Sequence, residues 1–381
     1  MLSGGRAVLF GIFVILSAAS LALFAYPYLI YPAILRKLPA VPIRTEPISK
    51  NASILFCAYN EAQSLPGKID NLRGLKNRYP TLEILAFDDG STDGTRSILA
   101  EAGDILTLVE GEGRAGKASG MKRLAGQADG EILIFTDANV ILADDLLDQL
   151  LPYYVDEDVG GVCGTLIYGP QPESATAEVG AAYWKLDERL RSLEAQTGNV
   201  MGADGSLFSV RRELYPSFPD SVLDDMTVSM GAVFAGKRLL KADNVFAYEN
   251  SVSERKEELR RKIRIGARAF HTHLYLRPQL RNMRGIDRFK YVSRKIMRWF
   301  GGLFLLLATA FGVAAIAVLS PLAALAVTLS GAIFLLVIVL WPGGSLAKVG
   351  DALLAIFATQ LGVYRGLKGE TVATWSPAKS R

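Results

Sequence analysis

The chain has 381 residues, enough for two ordinary domains or for one domain with membrane helices. Half of its residues are apolar, 21% are charged, the net charge is +4 and the mean hydropathy is +0.24, a balance that argues against an ordinary soluble enzyme. Two cysteines, Cys57 and Cys163, exclude a disulfide scaffold and a cysteine-rich zinc site, and two histidines, His271 and His273, exclude a multi-histidine metal cage. Residues 7–35 then run for 29 positions without a charge, bounded by Arg6 and Arg36. A bilayer core needs about 20 apolar residues as helix, so this run predicts a membrane anchor, 1–35. It is too long for the apolar region of a cleaved signal peptide.

Beyond a proline-spaced linker (Pro39, Pro42, Pro47), strand-like and helix-like patterns alternate. Ala52–Cys57, Glu83–Phe87, Ile105–Val109 and Ile132–Phe135 read as strands. Ile69, Leu72 and Leu75 fall at helical spacing between the first two, and Ile98 and Leu99 lie on a further helix. Such alternation predicts an α/β domain with a mainly parallel sheet and its ligands beyond the strand C-termini. The polar clusters fall there: Tyr59-Asn60-Glu61, Asp88 to Asp93, Gly111 to Lys117 and Thr136 to Asn139. Gly111 to Lys117 fits two phosphate-loop patterns, yet Ala118 cannot ligate magnesium and the motif follows the third strand, not the first. A glycine-rich turn that aims Lys117 at the cleft is the better reading. Carboxylates such as Asp88, Asp89 and Asp137 repel a diphosphate unless a divalent cation, Mg²⁺ or Mn²⁺, intervenes.

Residues 255–298 hold fifteen Lys/Arg against three Asp/Glu, a local balance of +12, which leaves the rest of the chain at −8. Beside a membrane span this stretch predicts basic interfacial helices facing anionic lipid, and no nucleic-acid partner. Residues 299–347 are again uncharged over 49 positions, broken at Ser320-Pro321 and closed at Trp341-Pro342-Gly343-Gly344, which suits a transmembrane hairpin. The uncharged run 352–364 is short, so 348–381 reads as an interfacial helix and tail. Arg36, Lys37, Arg44, Lys50, Lys348, Arg365, Lys368, Lys379 and Arg381 flank the spans on one side. By the positive-inside rule that side is the cytoplasm, with 36–254 as the catalytic domain and the N-terminus outside the plasma (inner) membrane.

Taken together, these motifs resemble the GT-A glycosyltransferases of family 2, the group of cellulose, hyaluronan and chitin synthases and many exopolysaccharide transferases. Phe56 to Glu61 is similar to the opening P-x-Y-N-E, with Cys57 in the proline position, and Asp88 to Thr95 to the D-D-G-S-T-D-G-T element. Gly116-Lys117-Ala118 is similar to the G-K-A step, with Lys122 where Asn is frequent, and Asp137-Ala138-Asn139 sits at D-x-D. Gly202 to Gly205 resembles the loop that meets the transferred sugar and acceptor, and Leu223-Asp224-Asp225 the E-D motif with its catalytic base. Arg261 to Ile265 falls at Q-x-x-R-W, where Arg264 matches the arginine while Arg261 and Ile265 replace Gln and Trp.

The resemblance implies a metal-dependent, inverting transferase of hexosyl or N-acetylhexosaminyl type, using a nucleotide-diphosphate sugar, UDP-linked by expectation. Its acceptor would be a glycan or lipid-linked glycan, with polysaccharide-assembly proteins as partners. Ala58, Tyr59, Glu61, Asp88, Asp89, Lys117, Asp137, Gly202, Asp204 and Arg261 would bind donor. Asp137 and Asn139 would hold Mg²⁺ or Mn²⁺. Asp225, with Asp224 beside it, and Arg264 would be catalytic. A helix is predicted to start at this acid pair, with Asp224 as its cap. Single addition to a polyprenyl phosphate or ceramide-like lipid, and a non-catalytic nucleotide-sugar-binding protein, are the alternatives.

Overall fold

The computed structural model describes residues 4–111, 113–169, 175–249, 255–340 and 344–371. The expected turn at Trp341 to Gly343 and the basic tail with Lys379 and Arg381 lie outside the described residues. Helix α1 (Gly4–Leu35) precedes strand β1 (Ala52–Ala58), α2 (Leu65–Arg78), β2 (Glu83–Asp88), α3 (Thr95–Glu101), β3 (Thr107–Glu110), α4 (Lys117–Gln127) and β4 (Ile132–Asp137). Then come β5 (Ile141–Leu142), α5 (Leu146–Leu150), β6 (Val159–Tyr168), α6 (Ala175–Gln196), β7 (Leu207–Arg211), α7 (Asp224–Phe234) and β8 (Arg238–Glu249). The C-terminal third is helical: α8 (Arg255–Arg281), α9 (Gly285–Tyr291), a π-turn (Val292–Ile296), α10 (Met297–Trp299), α11 (Gly301–Leu319), α12 (Pro321–Leu340) and α13 (Gly344–Leu367).

The eight strands form one sheet in the order β3-β2-β1-β4-β7-β6-β8-β5. β1 to β4 are mutually parallel, and β7 runs antiparallel to both β4 and β6. Successive side chains of a strand point to opposite faces, and β1 shows the consequence. Ile54 and Phe56 pack under α2 and α3, while Leu55 and Cys57 pack against α4. Both faces are therefore covered, which is why these strands read as continuous apolar runs. Both cysteines are buried and free. The third strand starts later than its apolar run suggests, because the N–H groups of Ile105 and Leu106 both donate to Ala102 and close a turn after α3.

Among the described residues, four helices are long and apolar enough to cross a membrane: α1, α11, α12 up to Ile338, and α13. Residue pairs Phe24 with Gly301, Ser17 with Ala308 and Phe13 with Phe311 show that α1 and α11 pack antiparallel. The short run 352–364 belongs to a longer helix than its charges suggested. Lys348 pairs with Glu178 of α6, and Asp351 pairs with Arg255 of α8 and accepts the Thr176 hydroxyl, so these charges continue α13 instead of ending it. Gly362 and Gly366 let it lie directly on the α8 backbone.

The basic segment is also less exposed than its charge predicts. Lys290 is fully buried and donates to the carbonyls of Glu194, Thr197 and Asn199. Arg294 bonds Glu194 at 2.6 Å and Asp187 at 3.1 Å, and Arg298 bonds Asp187 at 2.6 Å. These cations face inward because α6 presents two buried acids to them. Tyr31 at the end of α1 closes the cluster, donating to Glu194 at 2.7 Å.

Candidate active site

Register brings the acids to one edge. Ala58 pairs with Asp88 and Cys57 with Asp137, so the C-terminal ends of β2, β1 and β4 stand side by side. The chain leaves β2 through Asp89, which is fully buried and accepts N–H bonds from Ala115 at 2.7 Å and Gly116 at 2.9 Å. Asp89 thereby fixes the loop that starts α4, and the first residue of that helix is Lys117. The glycine-rich stretch is a turn, with Lys117 in the cleft.

Lys117 Nζ lies 2.5 Å from Asp137 Oδ1. Gly205 sits directly opposite: a Cβ on it would stand 2.7 Å from Lys117 Nζ, 3.7 Å from Asp225 Oδ2 and 3.8 Å from Asp137 Oδ2. Only a residue without a side chain leaves that space open. Burial works against the Lys117 charge, but Asp137, Asp224 and Asp225 outweigh it and hold the ammonium above its ordinary range. Asp225 moves the other way. Burial, with the negative charge of Asp224 beside it, pushes its carboxyl up to about 6, although Lys117 and the Met226 N–H, 2.6 Å from Oδ1, oppose this.

The acid pair does open α7, as its sequence suggests, but Asp224 is not the cap. Leu223 occupies that position, no side chain caps the helix, and Asp224 is buried within the first turn. The turn is held by α8 instead: Thr272 accepts the Leu223 N–H at 2.8 Å and Arg268 donates to the Val222 carbonyl at 3.1 Å. A helix from the basic segment therefore positions Asp225.

The remaining candidates form a wider rim. Asp88 is buried and accepts the Ser91 N–H, and Glu61 is buried and accepts the Ser64 hydroxyl at 3.0 Å. The Arg114 guanidinium lies 3.5 Å from the Tyr59 ring centre. Asn139 donates through Nδ2 to Glu249 at 2.9 Å. Arg261 sits among Glu258, Tyr168 and Glu249, which outweigh burial and raise it further. Arg264, one turn on along α8, is half-buried. Gly202 takes a left-handed φ of +93°, and Asp204 accepts Arg191 Nη1 at 2.5 Å and the Ser206 N–H at 3.0 Å. Arg191 in turn bonds Asp187 at 2.9 Å, joining this loop to the buried cluster. Gly205, Arg191, Arg268, Thr272 and Glu249 are additions to the candidates read from sequence. Of these only Gly205 had a local signal, its place in the Gly202 to Gly205 motif.

Among the described residues no three His, Cys, Asp or Glu side chains gather into a metal cage. Near the end of β4, Asp137 has one oxygen toward Gly205, and Asn139 offers an amide oxygen two residues on. This fits Mg²⁺ or Mn²⁺, which takes one or two protein oxygens and completes its shell from phosphate and water.

Residues 53–217 match the family model described as glycosyl transferase family 2. A beta-monoglucosyldiacylglycerol synthase from Nostoc sp. (strain PCC 7120) is 27% identical over 186 residues, 46% of this chain and 40% of that protein. A poly-beta-1,6-N-acetyl-D-glucosamine synthase from Staphylococcus epidermidis is 31% identical over 108 residues, 28% of this chain and 24% of that one. The chain thus spans less than half the length of these curated relatives. Among solved structures, the mannosyltransferase PcManGT from Pyrobaculum calidifontis, in complex with GDP-Man and Mn²⁺, superposes with a TM-score of 0.73 at 22% identity, covering 94% of this chain and 99% of that one. The fold is that of the GT-A glycosyltransferases.

Proposed function

We propose that this chain, whose residues 53–217 match the glycosyl transferase family 2 model, moves a sugar from a nucleotide-diphosphate sugar to a hydroxyl of a membrane-borne glycan or lipid, inverting the anomeric carbon. One observation carries the reading: Lys117, Asp137 and Asp225 converge on the open space above Gly205. The nucleotide-sugar and Mn²⁺ in PcManGT and the glycolipid product named for the Nostoc relative support the choice of donor, metal and lipid acceptor.

In this reading Ala58, Tyr59, Glu61 and Asp88 receive the nucleotide at the ends of β1 and β2. Asp89 shapes the loop behind it, holding the Ala115 and Gly116 N–H groups. Asp137, with Asn139, holds Mg²⁺ or Mn²⁺, which when bound neutralises the diphosphate leaving group. Asp225 takes the proton of the acceptor hydroxyl as it attacks from the face opposite the diphosphate. Its raised affinity for protons suits that task near neutral pH. Lys117 orients Asp137 and keeps positive charge beside the reacting atoms. Arg261 and Arg264 supply cations on the α8 side, and Gly202 and Asp204 border the acceptor. The cytoplasmic side is the place for 36–298, with α1, α11 and α12 as spans and α13 lying against α8 at the interface.

The test is transfer from a panel of radiolabelled nucleotide sugars into native membranes, with products resolved by thin-layer analysis. A labelled, metal-dependent lipid or glycan product supports the reading. Binding of donor with neither transfer nor hydrolysis across the panel would make the chain a nucleotide-sugar-binding protein instead.

A further inference from the structure

Around the π-turn, the buried cations of the basic segment face the protein. Lys290 is saturated by three carbonyls, and Arg294 and Arg298 are paired with Asp187 and Glu194. Lys295 lies between those arginines in the π-turn, half-buried, and makes no hydrogen bond or ion pair among the described residues. Its Nζ stands 3.8 Å from the point where a Gly202 Cβ would be. Met226, the neighbour of Asp225, lies 3.9 Å from that same point. An ammonium therefore projects toward the Gly202 loop, next to the residue that follows the proposed base.

The surroundings say what it waits for. Burial, and then Arg294 and Arg191, act against the charge of Lys295 and bring it down to about 8, with Asp187 and Asp225 opposing. A half-buried ammonium among like charges is unfavourable until an anion joins it. A compact ammonium on a flexible stem is a point-charge partner for phosphate. The turn also adjoins two of the apolar helices, α1 and α11. Ser293, two residues before, bonds the Tyr26 hydroxyl of α1 at 2.8 Å. Helix α11 starts at Gly301, six residues later, so Lys295 lies within about 9 Å of the span along the helix.

We infer that Lys295 is the cation of an anion subsite on the membrane side of the centre, and that its ligand is the phosphate group of a lipid-borne acceptor. The inference rests on the transferase reading and narrows its acceptor class. The donor diphosphate is the rival source of phosphate, but Lys117 and the Asp137 end of the cleft already provide for it.

The test uses the full-length protein in detergent and needs no turnover, so failure of the transfer reading would leave it interpretable. Acylation of individual lysines by isotope-labelled acetic anhydride is followed by peptide mass spectrometry at pH 8. The probes are a fifteen-carbon prenyl monophosphate, the corresponding prenyl alcohol, inorganic phosphate, and UDP with Mn²⁺. The prenyl monophosphate is expected to slow acylation of Lys295 about tenfold or more, while the alcohol, inorganic phosphate and UDP leave it unchanged. Lys122, paired with Asp220 outside the subsite, should be unaffected by every probe. Equal protection by inorganic phosphate would overturn the lipid assignment. Protection by UDP would place Lys295 on the donor, and protection by none would remove the subsite.

Discussion

At the scale of single residues, the site depends on an absence of atoms as much as on charges. A Gly205→Ala methyl would fall 2.7 Å from Lys117 Nζ, the far end of a flexible side chain. The lysine can swing away, so the protein should fold and melt near the wild type. The Lys117–Asp137 pair cannot persist in the same place, however, and a displacement of about 1 Å can cost about 10²-fold in rate. Assays of transfer beside thermal melting would check both halves. The acid pair makes a second prediction. A base must lose its proton before it can work, so kcat/KM should fall as pH drops through about 6, where Asp225 gains its proton. Part of that elevation comes from Asp224. Asp224→Asn removes a negative neighbour, so the acid limb should move to lower pH while a measurable rate remains. An acid limb that stays in place would deny the coupling. The acids were legible in sequence because strand ends and turn residues carry local signals. That Leu223 and not Asp224 holds the cap position was not legible, because the segment before α7 is anchored from α8, far along the chain.

At the scale of elements, the decisive contacts join α6, α1 and the segment around the π-turn. Asp187 is fully enclosed, yet Arg294, Arg298 and Arg191 outweigh burial and hold it well below the ordinary carboxylate range. Removing one partner of a buried pair leaves an uncompensated charge and costs about 3–5 kcal/mol. Arg294→Met should therefore lower the melting temperature in detergent markedly. Arg73→Ala breaks the exposed pair with Asp104 and should cost less than about 1 kcal/mol. Comparable shifts in the two variants would show that the cluster carries no special weight. The sequence announced that residues 255–298 were basic but not where that charge would go. A run of like charge reads as a solvated or lipid-facing surface. Its partners, Asp187 and Glu194, lie about a hundred residues away on a helix with no membrane signal. The parallel half of the sheet was readable, since each strand is a short apolar run between turns. Strands β6 to β8, with β7 antiparallel to β4 and β6 and with β8 parallel to β6, went unread, because their pairing depends on contacts that no local pattern encodes.

At the scale of the whole molecule, α8 and the π-turn link the proposed donor site to the apolar helices. The proposed orientation is supported by α1 and α11 packing antiparallel and by basic flanks on one side. A reporter fused after Arg381 should be active only on the cytoplasmic side. Activity outside would mean that α13 is a further crossing. The central claim is that Asp225 is the base of a transfer reaction, and its test pairs two readings on Asp225→Asn. Donor affinity is measured by calorimetry in the presence of Mn²⁺, and single-turnover transfer is followed with the donor that the panel identifies. The account predicts unchanged affinity with transfer reduced about 10²–10⁴-fold. Transfer at the wild-type rate, or a loss of rate explained wholly by lost donor affinity, would contradict it.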